Sequence, residues 1–178
     1  MKNISLAMLL TAFVSVPAVA GDMYLGGKLG STTYDYLPVF SNKAGFGLLA
    51  GYTISGGFSA EVEFTDLGGF ETSNKTYKGD VWSVRGVYAR GFGDKFSMDV
   101  KLGLASTVLK ATNRIYYNPS SASYRTLGLS VGFGGKYNVT PAVGIRLGLD
   151  FYVADSPDDW DINAGRVGVL GLGGVFKF

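Results

Sequence analysis

Eight charged residues in this 178-residue chain stand where their types and spacing could do chemistry: Lys28, Glu61, Glu63, Arg85, Asp99, Lys101, Arg146 and Asp150. Glu61 and Glu63 are two residues apart, as are Asp99 and Lys101, which places each pair on one face of an extended strand. Carboxylates so placed can move protons, or they can be held as ion pairs by neighbouring Lys and Arg. The sequence contains no histidine. An isolated Ser or Asp is a poor base near neutral pH, so hydrolytic mechanisms that run through histidine are excluded and only an unfamiliar carboxylate mechanism would remain for an enzyme.

Other suggestive stretches dissolve on inspection. Gly26, Gly27 and Lys28 resemble part of a phosphate loop, but Leu29 stands where Ser or Thr is needed and Asp22 where the first glycine belongs. "DSPDDWD", from Asp155 to Asp161, offers four carboxylates without the ordered spacing and glycine of a calcium loop, and reads as a solvated acidic loop. "NKT" at Asn74 and "NVT" at Asn138 match glycosylation acceptors, and a bacterial source would make both meaningless. No catalytic residue, cofactor or metal ligand is assigned.

The elements that carry the charges have the period of extended strands. Eight such segments run over residues 22–30, 45–53, 58–67, 80–90, 96–109, 124–137, 142–153 and 165–178. Most are near the 9 to 11 residues a tilted strand needs to cross a bilayer. Their connections alternate in length. "ISGG", "GFGDK" and "NVTP" are tight and rich in turn formers, whereas residues 31–44, 68–79, 110–123 and 154–164 are longer and polar. That alternation predicts an antiparallel up-and-down meander with every tight turn on one side.

The two faces of these strands differ in kind. One carries Phe58, Val62, Trp82, Val84, Val100, Leu102, Leu129, Phe133, Leu147 and Phe151; the other carries the eight charges with Ser83, Thr126, Ser130, Lys136 and many of the 27 glycines. An eight-stranded barrel has an interior just wide enough for side chains or one small ligand. Several large apolar residues from each strand would overfill it, while small residues and compact ion pairs fit. The apolar face is therefore expected outside, against lipid. Aromatics gather at strand ends: Tyr24, Tyr52, Phe58, Tyr88, Phe96, Tyr137 and Phe178 at the tight-turn rim, and Tyr34, Tyr36, Phe46, Phe64, Trp82, Tyr124, Phe151 and Trp160 toward the other. Two aromatic belts around an apolar band are expected at two membrane interfaces.

Targeting and composition agree with export. Lys2, the apolar stretch "ISLAMLLTAFVSV" and the small residues Ala18 to Ala20 read as a signal peptide over 1–20, cleaved after Ala20, with a single barrel domain over 21–178. There is no cysteine, so no disulfide staples the exported chain. Formal net charge is only +2, with no basic run, which argues against nucleic acid. Mean hydropathy is +0.19. Without a long apolar run in the mature chain, that hydrophobicity must be spread along alternating strands.

"MYLGGKLG" near the mature N-terminus, the alternation of turns and loops, the acidic pair in "AEVEF" and the closing "GGVFKF" together resemble the OmpA-like transmembrane domain of Gram-negative outer membranes. The resemblance covers essentially the whole mature chain and implies an all-β, eight-stranded transmembrane barrel in the outer membrane. The chain is expected to end with the barrel, so the peptidoglycan-binding domain of full-length relatives is not carried over. The resemblance also implies an assembly signal in Phe176 and Phe178, read by the outer-membrane assembly machinery, and contact with outer-membrane lipid and lipopolysaccharide by a monomer.

By residue count from the tight-turn rim, Lys28, Glu63, Arg85, Lys101 and Arg146 lie near one level, with Glu61 and Asp99 slightly below. Unpaired charge away from bulk water is costly, so these groups are expected to pair across the lumen. The chief expectation is a structural protein plugged by these pairs, with surface loops for cell or host contacts. A narrow channel or small-molecule carrier, whose pairs exchange partners, is the alternative.

Overall fold

The computed structural model describes residues 23–34, 43–71, 75–113, 121–153 and 166–178. The expected signal peptide and the acidic stretch from Asp155 lie outside them. Eight strands follow in chain order: β1 (Met23–Tyr34), β2 (Lys43–Ser55), β3 (Phe58–Glu71), β4 (Lys75–Phe92), β5 (Phe96–Asn113), β6 (Ser121–Asn138), β7 (Val143–Val153) and β8 (Arg166–Lys177). Each pairs antiparallel with its sequence neighbours, and β1 pairs with β8, so the sheet closes into a barrel with no free edge. In hydrocarbon that closure is required, because an unpaired backbone donor or acceptor has no water to turn to.

Tight turns do the reversing on one rim. Gly56 and Gly57 join β2 to β3 with φ of 58° and 87°. Two consecutive positive φ values give a turn whose twist matches that of the strands it joins, and glycine adopts them without steric cost. The β4–β5 ladder then runs in unbroken register from Phe92↔Phe96 to Lys75↔Asn113.

Several strands reach further than the sequence pattern predicts. Residues 68–79 and 110–123 read as loops, yet β3 and β4 remain paired out to Glu71↔Thr76, β5 extends to Asn113 and β6 begins at Ser121. The cause at β3 is a bulge between Asp66 and Gly69, with Gly68 at φ 70°. A bulge inserts residues out of phase, so the period-2 signal lapses while the ladder resumes beyond it. Phe70, Thr76, Tyr77 and Thr112 are good strand formers, and strands already in register continue pairing past the membrane boundary.

The wall is apolar outward: Leu29 and Leu127 are 73% and 72% exposed, and Leu102, Leu104, Leu147 and Leu172 are likewise exposed. The lumen is layered. Toward the loop side Leu67, Val81, Ala105, Tyr152, Val167 and Val169 form a buried apolar cluster. Next toward the turns lies the charged layer, and at the turn-side mouth a recess of about 230 Å³ opens beside Lys136 and Lys177.

Candidate functional site

Neighbouring strands deliver the charged side chains to one level. Glu61 on β3 stands directly opposite Arg85 on β4. Arg85 is 1% exposed and forms the hub. Its Nη1 donates to Asp150 Oδ1 at 2.7 Å, and its Nη2 donates to Glu61 Oε1 at 2.9 Å and also to Glu63 Oε2. Lys28 Nζ bridges Glu63 Oε1 at 2.6 Å and Asp150 Oδ2 at 2.7 Å. Lys101 Nζ adds a contact to Asp150 Oδ1 at 2.8 Å. Nearer the turns, Arg146 joins Glu61 Oε2 at 2.6 Å to Asp99 Oδ1 at 2.9 Å.

All eight sequence-predicted charges are thus brought into one connected network, with Arg85 and Arg146 holding Glu61, Glu63 and Asp99 and with one departure from the partners that a residue count suggests. Lys101 sits with Asp150 rather than with Glu61, Glu63 or Asp99. Four cations face four carboxylates, so the layer is formally neutral. Beside it a cavity of only about 10 Å³ remains, room for about one water molecule.

Glycine makes the layer sterically possible. Lys101 on β5 and Asp150 on β7 are both register partners of Gly132 on β6, and their side chains meet over it. Lys28 is flanked by Gly47 and Gly173, Arg85 by Gly103, and Asp99 by Gly134. A Cβ on Gly47 would lie 2.8 Å from Lys28 Cε, and one on Gly134 would lie 2.8 Å from both Asp99 carboxylate oxygens. Long side chains can lie across so narrow a lumen only where a neighbour has no side chain of its own.

Three polar partners escaped the sequence reading. Tyr152 OH and Thr65 Oγ1 donate to Glu63 Oε1 at 3.1 and 2.8 Å. Tyr24 OH donates to Glu61 Oε2 at 3.1 Å. Tyr24 therefore corrects the expected aromatic rim: it points inward, its ring lying over Gly51, where any Cβ would collide with it. The signal was present in parity, since Tyr24 shares the face of Lys28, and Tyr152 that of Asp150.

The other expected rim residues lie on the outer wall. Tyr52, Phe58, Tyr88, Phe96, Tyr137 and Phe178 are exposed toward the turn end, and Trp82 nearer the loops. Phe58 packs on Tyr88 with centroids 4.8 Å apart, Phe64 on Trp82 at 5.1 Å, and Phe176 on Phe178 at 5.0 Å. The Tyr34 side chain, Tyr36 and Trp160 lie outside the described residues.

A closed antiparallel barrel with an apolar exterior and a charged, glycine-lined lumen belongs to the class of membrane-spanning β-barrels. Residues 4–178 match the outer membrane protein beta-barrel domain family, and the chain belongs to it. It is a small β-barrel protein of the bacterial outer membrane. No curated protein sequence matches it. Among solved structures it is similar to Ail, the attachment invasion locus protein of Yersinia pestis, at 19% identity and TM-score 0.61, covering 89% of this chain and 97% of that one. Neisserial surface protein A gives 19% and 0.61 over 88% and 96%. The N-terminal β-barrel domain of Pseudomonas aeruginosa OprF gives 18% and 0.60 over 89% and 100%. At these identities the likeness is one of fold.

Proposed function

We propose that this protein is a non-conducting structural barrel that holds the segments between β1 and β2, β3 and β4, β5 and β6, and β7 and β8 at the cell surface for contact with other cells, hosts or phage. The observation that carries this reading is the ion-pair layer. It crosses the lumen with about 10 Å³ to spare, and it is backed on the loop side by the buried apolar cluster around Tyr152 and Val167. Ion passage would require breaking several buried charge-assisted contacts together.

The same layer argues against an enzyme. Every carboxylate in it is engaged by Lys or Arg, and the sequence has no histidine to act as base. Tyr52, Phe58, Trp82, Tyr88, Phe96, Tyr137 and Phe178 serve as interface anchors toward lipid and lipopolysaccharide. Phe176 and Phe178 serve the assembly machinery, the chain is a monomer, and export removes residues 1–20. Ail, the attachment invasion locus protein, has a similar fold.

Planar-bilayer recording of the refolded protein is the test. Absence of discrete conductance steps supports the plug. Steady ion-selective steps from the unaltered chain would overturn it in favour of a narrow channel.

A further inference from the structure

The recess at the turn-side mouth carries a charge imbalance that the network above it does not share. Lys136 on β6 is the direct register partner of Arg146 on β7, so two cations stand side by side on the inner face. Like charges directly opposed across a ladder repel. Arg146 is relieved by Glu61 and Asp99. Lys136 has no carboxylate within ion-pair distance among the described residues, although it is half-buried with its stem against Gly144. Lys177 lines the same recess, also without an ion-pair partner among them. Because the eight-residue network is neutral by itself, Lys136 and Lys177 are a surplus of two positive charges in a space of about 230 Å³. Tyr24 and Ser97 add hydroxyls to its wall, and Asp99, already held by Arg146, is its one acid among the described lining residues.

We propose that this turn-side recess is a binding site for a small phosphate-bearing anion, held between Lys136 and Lys177. Two lysines, strongly hydrated point charges with rotatable donors, suit a phosphate group, which offers several acceptor oxygens. The volume admits a phosphate monoester but not an extended chain. The phosphate can belong to a free solute or to a lipid headgroup at the rim.

The test uses isotope-labelled protein refolded in a maltoside detergent, which itself carries no phosphate. Inorganic phosphate and glycerol 3-phosphate are titrated against sodium chloride at matched ionic strength, and the backbone amides of Ser97, Lys136 and Lys177 are followed by NMR. A second arm adds short-chain phosphatidylglycerol to the micelles. Saturable shifts confined to the recess are expected, weakened about tenfold by Lys136→Gln or Lys177→Gln, the loss of one charge-assisted contact, and unaltered by Lys110→Gln on the outer wall. Shifts with the soluble anions place the phosphate in solution, and shifts with the lipid alone place it on a headgroup. Shifts that chloride reproduces, that survive both substitutions, or that never saturate with any probe would overturn the site. Neither lysine belongs to the plugging network, so bilayer recordings of the same variants stay silent, separating failure of this site from failure of the plug.

Discussion

Arg85 on β4 reaches Asp150 on β7, with Nη1 2.7 Å from Oδ1, although neither strand pairs with the other. This contact spans the lumen itself, so it ties together parts of the wall that the backbone ladders join only around the circumference. The same guanidinium also holds Glu61 and Glu63. Its removal leaves four carboxylates facing three cations, one charge uncompensated, in a site with almost no room for water.

Arg85→Ala should therefore cost about 3 to 5 kcal/mol, the scale for breaking a buried ion pair by deleting one partner. Water recruited to the uncompensated charge should also open a measurable leak. Thermal unfolding in detergent micelles and bilayer recording check both effects, with exposed Lys110→Ala as the unaffected reference. A variant matching the parent in melting and in conductance would mean that the charges are individually hydrated.

Glycine placement yields a paired comparison. A Cβ at Gly132 meets Asp150 Oδ1 and lies 3.1 Å from Lys101 Cδ, whereas one at Gly174 has nothing within 4 Å. Gly132→Ala should destabilise by roughly 1 to 3 kcal/mol, as overpacking does. Gly174→Ala should be neutral or slightly stabilising, since alanine also restricts the unfolded chain. Urea midpoints of the two refolded variants decide it; equal midpoints would remove glycine from the account of how the charges fit.

These glycines show where sequence reading stops. Strict alternation is visible in "AEVEF" and "DVWSVRGVYAR", and it assigns Glu61, Glu63 and Arg85 to one face because pleating leaves each side chain only two directions. The closed eight-stranded barrel follows from that alternation and from the turn spacing. Which charges meet depends instead on strand stagger, which no single strand encodes. Lys101 finds Asp150 because Gly132 separates them across two ladders, a coincidence of register between β5, β6 and β7. Tyr24 was misplaced for the related reason that position near a rim does not say which face a ring occupies. The Gly51 opening that accepts it is a cross-strand feature. The bulge at Asp66 hid the outer third of the β3–β4 hairpin by shifting its phase.

Tyr24 supplies a graded test of that inward placement. Tyr24→Phe keeps the ring over Gly51 and loses only the hydrogen bond to Glu61, at a cost of about 0.5 to 1.5 kcal/mol or somewhat more because the acceptor is charged. Gly51→Ala keeps the hydroxyl but drives a Cβ into the ring, and should cost more than Tyr24→Phe. Tyrosine fluorescence quenching by a lipid-soluble quencher should spare Tyr24 and affect Tyr52 and Tyr88, compared through single Tyr→Phe variants. Tyr24 quenched as strongly as Tyr52 would put it back on the outer wall.

The outer wall is tested by depth. Leu104 is 54% exposed and stands one residue from Gly103, the register partner of Arg85, so it faces outward at the level of the charged layer near mid-barrel. Tyr137 pairs with Phe96 at the turn end. An arginine forced into mid-membrane hydrocarbon costs a transmembrane barrel about 2 to 4 kcal/mol, falling to about 0 to 1 near an interface where the side chain can reach headgroups. Leu104→Arg should accordingly lose far more stability than Tyr137→Arg when both are refolded into lipid vesicles and titrated with denaturant. The difference should shrink in detergent micelles, whose apolar core is thinner and more easily deformed. If the two substitutions cost the same in vesicles, the band around Leu102, Leu104 and Leu129 would not be the part of the wall in contact with hydrocarbon. The assignment of Trp82 and Tyr137 to opposite interfaces would then fall with it, since the two aromatic belts are expected on either side of that band.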